Sequence, residues 1–252
     1  MFKKFSKKFL ILFSSCLLVG SSGVHHGDND KLSHHSEVVT NVHSSLSSIE
    51  KSVRKAAVKV EREDGGYGSG TLLRIKDVLV VVTAAHVVGD FKTVSLIGQS
   101  SDVVKGSVIY RHNKRDIAFI LPEKNISSRN PVQFKPINRR KSQIGNKITY
   151  TGFPNRHNLL TIRGAIAGYD SEEDVLLIQS FAWMGSSGSG VFDLSGKFIG
   201  VVSAIDVGVA YYPQLIETMV WISPSWNVDE AIILDAVKKK QGERDETNNK
   251  KD

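Results

Sequence analysis

Short apolar runs broken by turn residues recur from residue 57 to residue 222, and this rhythm constrains the fold more than any other feature of the chain. Residues 57–62 alternate apolar and polar side chains and read as a strand. A glycine-rich turn at 65–70 leads to a second strand at 71–75, and Lys76-Asp77 is a hairpin turn. Residues 78–83 have the continuous apolar character of a buried strand, and the run stops at Ala84-Ala85-His86. Further strands are expected at 93–97, 103–110 and 116–121. A polar, proline-containing stretch over 122–145 bridges to a second half, with strands at 146–151, 159–166, 174–178, 191–193, 198–205 and 218–222. Many short strands at roughly 8–12-residue spacing argue for an all-β barrel or sandwich. One convincing helix begins near Asn227 or Asp229 and places Ala231, Ile232, Ile233, Leu234, Ala236 and Val237 at helical spacing. Beyond Lys238 both charge signs mix, which predicts a frayed helix end and, over 241–252, a disordered charged tail.

The N-terminal segment has a different character. Lys3, Lys4, Lys7 and Lys8 precede an apolar run over 9–20 with small residues after it, the pattern of a secretory signal peptide spanning 1–23. The run is shorter than the roughly 20 apolar residues a membrane span needs. Export, to a periplasm or the exterior, is therefore expected. Those four lysines supply more than half of the net charge of +7, so the bulk charge is weak evidence for a nucleic-acid partner. Cys16 is the only cysteine, which excludes an intramolecular disulfide. Its setting, Leu12-Phe13-Ser14-Ser15-Cys16, loosely matches a lipid-attachment site, the one route by which a membrane would be a partner. Residues 24–48 are rich in Ser, His, Asn and Asp and read as a solvated linker. Its histidines, His25, His26, His34, His35 and His43, match no closed tetrahedral metal site. A short amphipathic helix is expected to end it, over about 42–55, and the folded domain is expected over 49–240.

Chemistry concentrates in three places. Gly185-Ser186-Ser187-Gly188-Ser189-Gly190 precedes a β-hairpin whose turn holds Gly196. Glycines so spaced let the backbone fold tightly around a small hydroxyl residue and turn amides outward, which suits a nucleophilic serine beside an oxyanion site. Serine needs a base to take its proton and a carboxylate to orient that base. Of the three histidines in the folded region, His112 and His157 lie in polar loops, whereas His86 follows a buried strand directly. Asp116 begins the apolar strand Ile117-Ala118-Phe119-Ile120, where a carboxylate is either a turn residue facing solvent or a buried partner to another group. The glycines at 65–70 do not form a phosphate cradle, because no helix opens after them and no Lys-Ser/Thr pair closes the motif.

Taken together, Thr83-Ala84-Ala85-His86, Asp116-Ile117-Ala118-Phe119-Ile120 and the loop around Ser187 resemble the three motifs of trypsin-like, chymotrypsin-fold serine proteases, in the same chain order. Gly68-Ser69-Gly70-Thr71-Leu72-Leu73 and Gly152-Phe153-Pro154 are similar to the cysteine-free bacterial branch, the high-temperature-requirement type. The resemblance covers roughly 56–222. It implies two six-stranded antiparallel β-barrels with a C-terminal helix, and a serine endopeptidase working through an acyl-enzyme. It assigns His86 as base, Asp116 as its orienter, Ser187 as nucleophile, and the Gly185 and Ser187 amides as the oxyanion hole. It places the substrate pocket at Phe181, Ser203, Ala204 and Ile205, whose strand would pair with an extended protein or peptide substrate. No aspartate occupies the Phe181 position, so no preference for Lys or Arg is expected. It implies no metal, no cofactor and no nucleic-acid partner.

The departures also carry information. Ser186 stands where animal digestive proteases have the aspartate that pairs with a freed N-terminus, so that activation switch is not expected. Ser189 and Gly190 replace the more common glycine and proline. About 30 residues follow Ile222, fewer than the ~50 a further domain needs, so the peptide-binding PDZ domain of the high-temperature-requirement type is not expected. An α/β-hydrolase needs its histidine after its serine, and none follows His157. A subtilisin-like enzyme needs a helix after its serine, where a hairpin is expected here. The competing reading is an inactive protease fold that binds extended peptides or envelope proteins.

Overall fold

The computed structural model describes residues 45–99, 102–138, 144–209 and 213–249. The signal peptide, Cys16, and the histidine-rich linker up to residue 44 lie outside the described residues. In chain order the elements are α1 (Ser48–Ala56), β1 (Ala57–Glu61), β2 (Tyr67–Ile75), β3 (Val78–Thr83), α2 (Ala85–Val88), β4 (Thr93–Ile97), β5 (Val103–His112), β6 (Ile117–Pro122) and β7 (Val132–Gln133). The second half has β8 (Lys147–Gly152), β9 (Leu160–Asp170), β10 (Val175–Gln179), β11 (Gly190–Asp193), β12 (Phe198–Val209), β13 (Pro213–Pro224) and α3 (Glu230–Asn249).

Two closed barrels result. In the first, the order β1-β4-β5-β6-β3-β2 closes through antiparallel pairing of β1 with β2, and β7 adds to β2 in parallel. In the second, β10-β13-β12-β11-β8-β9 closes through β9 and β10. Closure gives every strand of each ring two neighbours over part of its length, which limits the exposed edge an open sheet would present. The bridging segment joins both barrels: Val132 and Gln133 pair with β2, and Pro136 bridges to Phe198 on β12.

Side-chain alternation explains why β3 is apolar throughout. Val81 points into the first barrel with Val58, Leu72, Leu96 and Ile120, whereas Val80 and Val82 face a seam shared by both barrels. That seam holds Leu73, Phe119, Phe134, Phe192, Phe198 and Val201, closed by Val53 of α1 and by Ile233 and Val237 of α3. Phe119, Phe134, Phe198 and Phe192 pack in sequence, the first pair edge-to-face and the others tilted, with ring centroids 6.5, 5.6 and 5.4 Å apart. The second barrel encloses Ile148, Tyr150, Ile178, Val191, Val202 and Ile222.

Several boundaries differ from the sequence reading. Residues 67–70 are strand, not turn; the turn ends at Gly66, and Gly68 and Gly70 serve close packing instead. β5 runs two residues further, so His112 ends a strand and its ring accepts the Arg115 N–H (3.3 Å). β12 and β13 extend well past residue 205 as a long hairpin. α3 continues to Asn249 through the charged segment, where Lys240 pairs with Glu243 (2.9 Å) and Arg244 donates to Ser107 (3.3 Å).

Candidate active site

His86 lies on α2, a single turn that follows β3 directly. The Thr83 hydroxyl, at the end of β3, donates to the Ser69 carbonyl (2.7 Å) and fixes where that turn starts. Asp116 occupies a left-handed conformation, φ 45° and ψ 50°, between a 3-10 turn at Asn113–Arg115 and β6. Aspartate tolerates this region better than most residues. The result aims its carboxylate at His86: Oδ1 accepts the His86 backbone N–H (2.9 Å), and Oδ2 lies 2.8 Å from the ring Nδ1. With Nδ1–H donating to the carboxylate, Nε2 is left with the free lone pair that a general base needs.

Ser203 completes this arrangement. It sits at a bulge in β12, between Val202 paired with Ile222 and Ala204 paired with Trp221, and its hydroxyl donates to Asp116 Oδ2. Burial pushes the Asp116 carboxyl up. The hydrogen bond and charge of His86, the Ser203 hydroxyl and the His86 N–H outweigh it and hold the carboxyl below its ordinary value. Asp116 therefore stays ionised, able to stabilise an imidazolium.

The loop carrying Ser187 is pressed against this strand end. A side chain at Gly188 (φ +86°) would begin 2.1 Å from the Ser69 carbonyl, 2.2 Å from Thr83 Oγ1 and 2.9 Å from the Ala84 nitrogen. Only glycine fits there. A Cβ on Gly68 would lie 2.9 Å from the Ser187 carbonyl and 2.6 Å from Val87, the residue after His86. Ser187 O accepts from Ser69 N (2.8 Å), and Gly188 N donates to Val202 O (2.7 Å). Among the described residues, the Ser187 hydroxyl and the His86 ring are not hydrogen-bonded to each other.

Inside the loop, Ser186 N donates to Trp183 O (2.8 Å) and Ser189 N to Ser186 O (3.1 Å), whereas the N–H groups of Gly185 and Ser187 have no acceptor among the described residues. Beneath it, Tyr150 is fully buried and its hydroxyl donates to Phe181 O. Burial pushes this phenol above its ordinary range, so it remains a hydrogen-bond donor. Ser186 is also buried and its hydroxyl accepts from Trp183 N (3.2 Å), so a neutral contact stands where digestive proteases carry a carboxylate.

The residues expected to line the substrate pocket have different settings in the fold. Phe181 is 43% exposed and free of the core, whereas Ile205 leans on the core of the second barrel. The Ser203 side chain belongs to Asp116, so only its backbone remains for a substrate. From Ser203 onward β12 pairs with β13 alone among the described residues, because β11 pairs with it no further than Val201. The part played by Ser203 has no local signature beyond a polar residue inside the apolar run Val201-Val202-Ser203-Ala204-Ile205.

Two closed six-stranded barrels, with motif residues from the first facing a serine loop from the second, define a chymotrypsin-type protease fold. Residues 68–201, just over half of the chain, match the family model described as a trypsin-like peptidase domain, and the chain belongs to that family. Among solved structures it resembles a serine endoprotease from Yersinia pestis, with 20% identity and a TM-score of 0.58 over 76% of this chain and 69% of that one. It also resembles an inactive serine-to-alanine form of Rv3671c from M. tuberculosis H37Rv, with 16% identity and a TM-score of 0.56 over 76% of this chain and 89% of that one. No curated relative matches the sequence.

Proposed function

We propose that the chain is an exported serine endopeptidase that hydrolyses peptide bonds through an acyl-enzyme. His86 Nε2 takes the Ser187 proton as Oγ attacks the scissile carbonyl, and Asp116 holds the ring and stabilises the imidazolium. The N–H groups of Gly185 and Ser187 receive the oxyanion. The imidazolium then protonates the leaving amine, and water, activated by the same ring, releases the acid. The observation that carries this reading is the double hydrogen bond from His86 to Asp116, with the Ser187 loop packed against the strand that delivers His86. Catalytic hydrogen bonds tighten when substrate enters, so closure of Ser187 Oγ onto Nε2 belongs to the Michaelis complex.

The substrate is a protein or peptide in extended form, added as a strand to the open edge of β12 at 203–205. Phe181 is exposed, and with no acidic group at its position small or medium apolar side chains are favoured over Lys and Arg. Export rests on the basic head and apolar run of the first 23 residues. The test is hydrolysis of a peptide library by the mature chain. Ser187→Ala is expected to lower kcat on the order of 10⁶-fold with an unchanged circular dichroism spectrum. Near-normal hydrolysis by that variant would mean that another residue is the nucleophile.

A further inference from the structure

We propose that Ser69 is a positioning residue that sets the oxyanion site from the opposite barrel, an inference that rests on the serine-peptidase reading above. Ser69 is fully buried on β2, between Gly68 and Gly70, and each of its polar groups is engaged. Its backbone N–H donates to Ser187 O (2.8 Å) and its carbonyl accepts from Thr83 Oγ1 (2.7 Å). Its hydroxyl donates to Gly185 O (2.6 Å) and accepts from Phe153 N (2.9 Å). The two carbonyls that Ser69 grips thus belong to Gly185 and Ser187, whose own N–H groups have no acceptor among the described residues.

The geometry of the loop shows why the hydroxyl matters. Each free N–H lies in the peptide plane of the preceding carbonyl. For Gly185 that plane is pinned by Asn155 N donating to Met184 O (2.7 Å), and for Ser187 by Ser189 N donating to Ser186 O (3.1 Å). Between them lies the Gly185-Ser186 plane, hinged on a glycine that can rotate freely. Ser186 N, donating to Trp183 O (2.8 Å), holds one side of this middle plane, and Ser69 Oγ, through Gly185 O, holds the other from the opposite barrel. Losing the hydroxyl therefore leaves the plane that separates the two amides tethered on one side alone. Phe153 N orients the hydroxyl by donating to it, which leaves its proton directed at Gly185 O.

The same pattern recurs where no chemistry is assigned, and this provides the control. Ser225, also fully buried, donates to Phe198 O (2.6 Å) and accepts from Ile137 N (3.2 Å), although here the Ile137 N–H also donates to Phe198 O directly (2.9 Å). Ser69→Ala and Ser225→Ala each delete one hydroxyl that joins one carbonyl to one N–H, so both should lower the melting temperature. Only Ser69→Ala should also disturb the reaction.

The experiment follows three quantities in wild type and both variants: kcat and KM on a p-nitrophenyl ester, the rate of inactivation by a fluorophosphonate, and the melting temperature. Ser69→Ala is expected to lose about 100-fold in kcat, the size of losing one oxyanion donor, with KM changed less than about twofold. Fluorophosphonate inactivation should slow by a similar factor, and Ser225→Ala should keep wild-type values for both. Should the alanine variant not fold, Ser69→Cys keeps a similar volume with a weaker donor and should show the same kcat loss in smaller measure. A folded Ser69 variant with wild-type kcat overturns the inference, as does an equal kcat loss in Ser225→Ala. A wild-type protein that neither hydrolyses the ester nor reacts with the probe would instead overturn the peptidase reading itself.

Discussion

Asp116 is the residue at which burial and charge compete most directly. Three donors converge on its carboxylate: the ring and the backbone N–H of His86, and the Ser203 hydroxyl. Together they outweigh desolvation, so the group is ionised where a buried carboxyl would otherwise hold a proton. Asp116→Asn keeps the shape but cannot receive Nδ1–H as an anion. It should favour the wrong ring tautomer and lower kcat by about 10⁴-fold with little change in KM, measured by steady-state hydrolysis. The sequence singles out His86, Asp116 and Ser187 because each sits in a short local signature, the end of an apolar strand, the beginning of another, and a glycine-spaced loop, and the structure joins the first two by hydrogen bonds. Ser203 and Ser69 were not legible in these roles. Ser203 reaches Asp116 only because a bulge rotates it out of register, and Ser69 acts across barrels on a loop 116 residues away.

Among the elements, α1 is tied to the second barrel. Ser47 and Glu50 form a capping box, with the Ser47 N–H donating to Glu50 (2.7 Å) and the Glu50 N–H to the Ser47 hydroxyl (3.4 Å). The same carboxylate receives Arg163 of β9 through both Nε and Nη2. The Arg163 hydrogen bond and the Ser47 donors hold the Glu50 carboxyl down at about 2 from 4.5, against the opposing effect of burial. Because the folded value is the lower one, the carboxylate stabilises the fold fully above about pH 4.5, and this contribution disappears as pH falls toward 2. Glu50→Gln should cost about 1–3 kcal/mol at neutral pH. In melting curves from pH 7 to pH 2.5 the gap from wild type should narrow with acid, and a gap that widened instead would contradict the assignment. The existence of most strands followed from apolar periodicity, yet their ends did not. Gly68 and Gly70 look like turn residues and are strand residues, because what selects glycine there is contact with Val87 and Val81, which no local pattern displays. The β12–β13 hairpin outruns its apolar stretch for a similar reason: pairing of Asp206 with Ile216 and Val207 with Leu215 sustains it where composition suggests a loop.

On the scale of the whole molecule, the two barrels share one hydrophobic seam, so neither can be removed without exposing the other. Phe198 lies at its centre, fully buried between Phe134 and Phe192. Phe198→Ala should cost about 3–5 kcal/mol. Trp183, Trp221 and Trp226 all belong to the second half, whereas circular dichroism reports on both, so urea unfolding followed by the two signals should give one coincident midpoint. Separate midpoints would mean that the barrels unfold independently. The same seam explains the placement of the site. Because it packs Val80 and Val82 of β3 into one cluster with Phe198 and Val201 of β12, the histidine from one barrel and the serine loop from the other are held side by side by the core itself. The measurement that bears most directly on this account is covalent labelling of the intact chain by a fluorophosphonate, with the modified residue identified by peptide mass spectrometry. A single adduct on Ser187, lost in His86→Ala, is the expected result; an unlabelled protein, or an adduct on another residue, would contradict it.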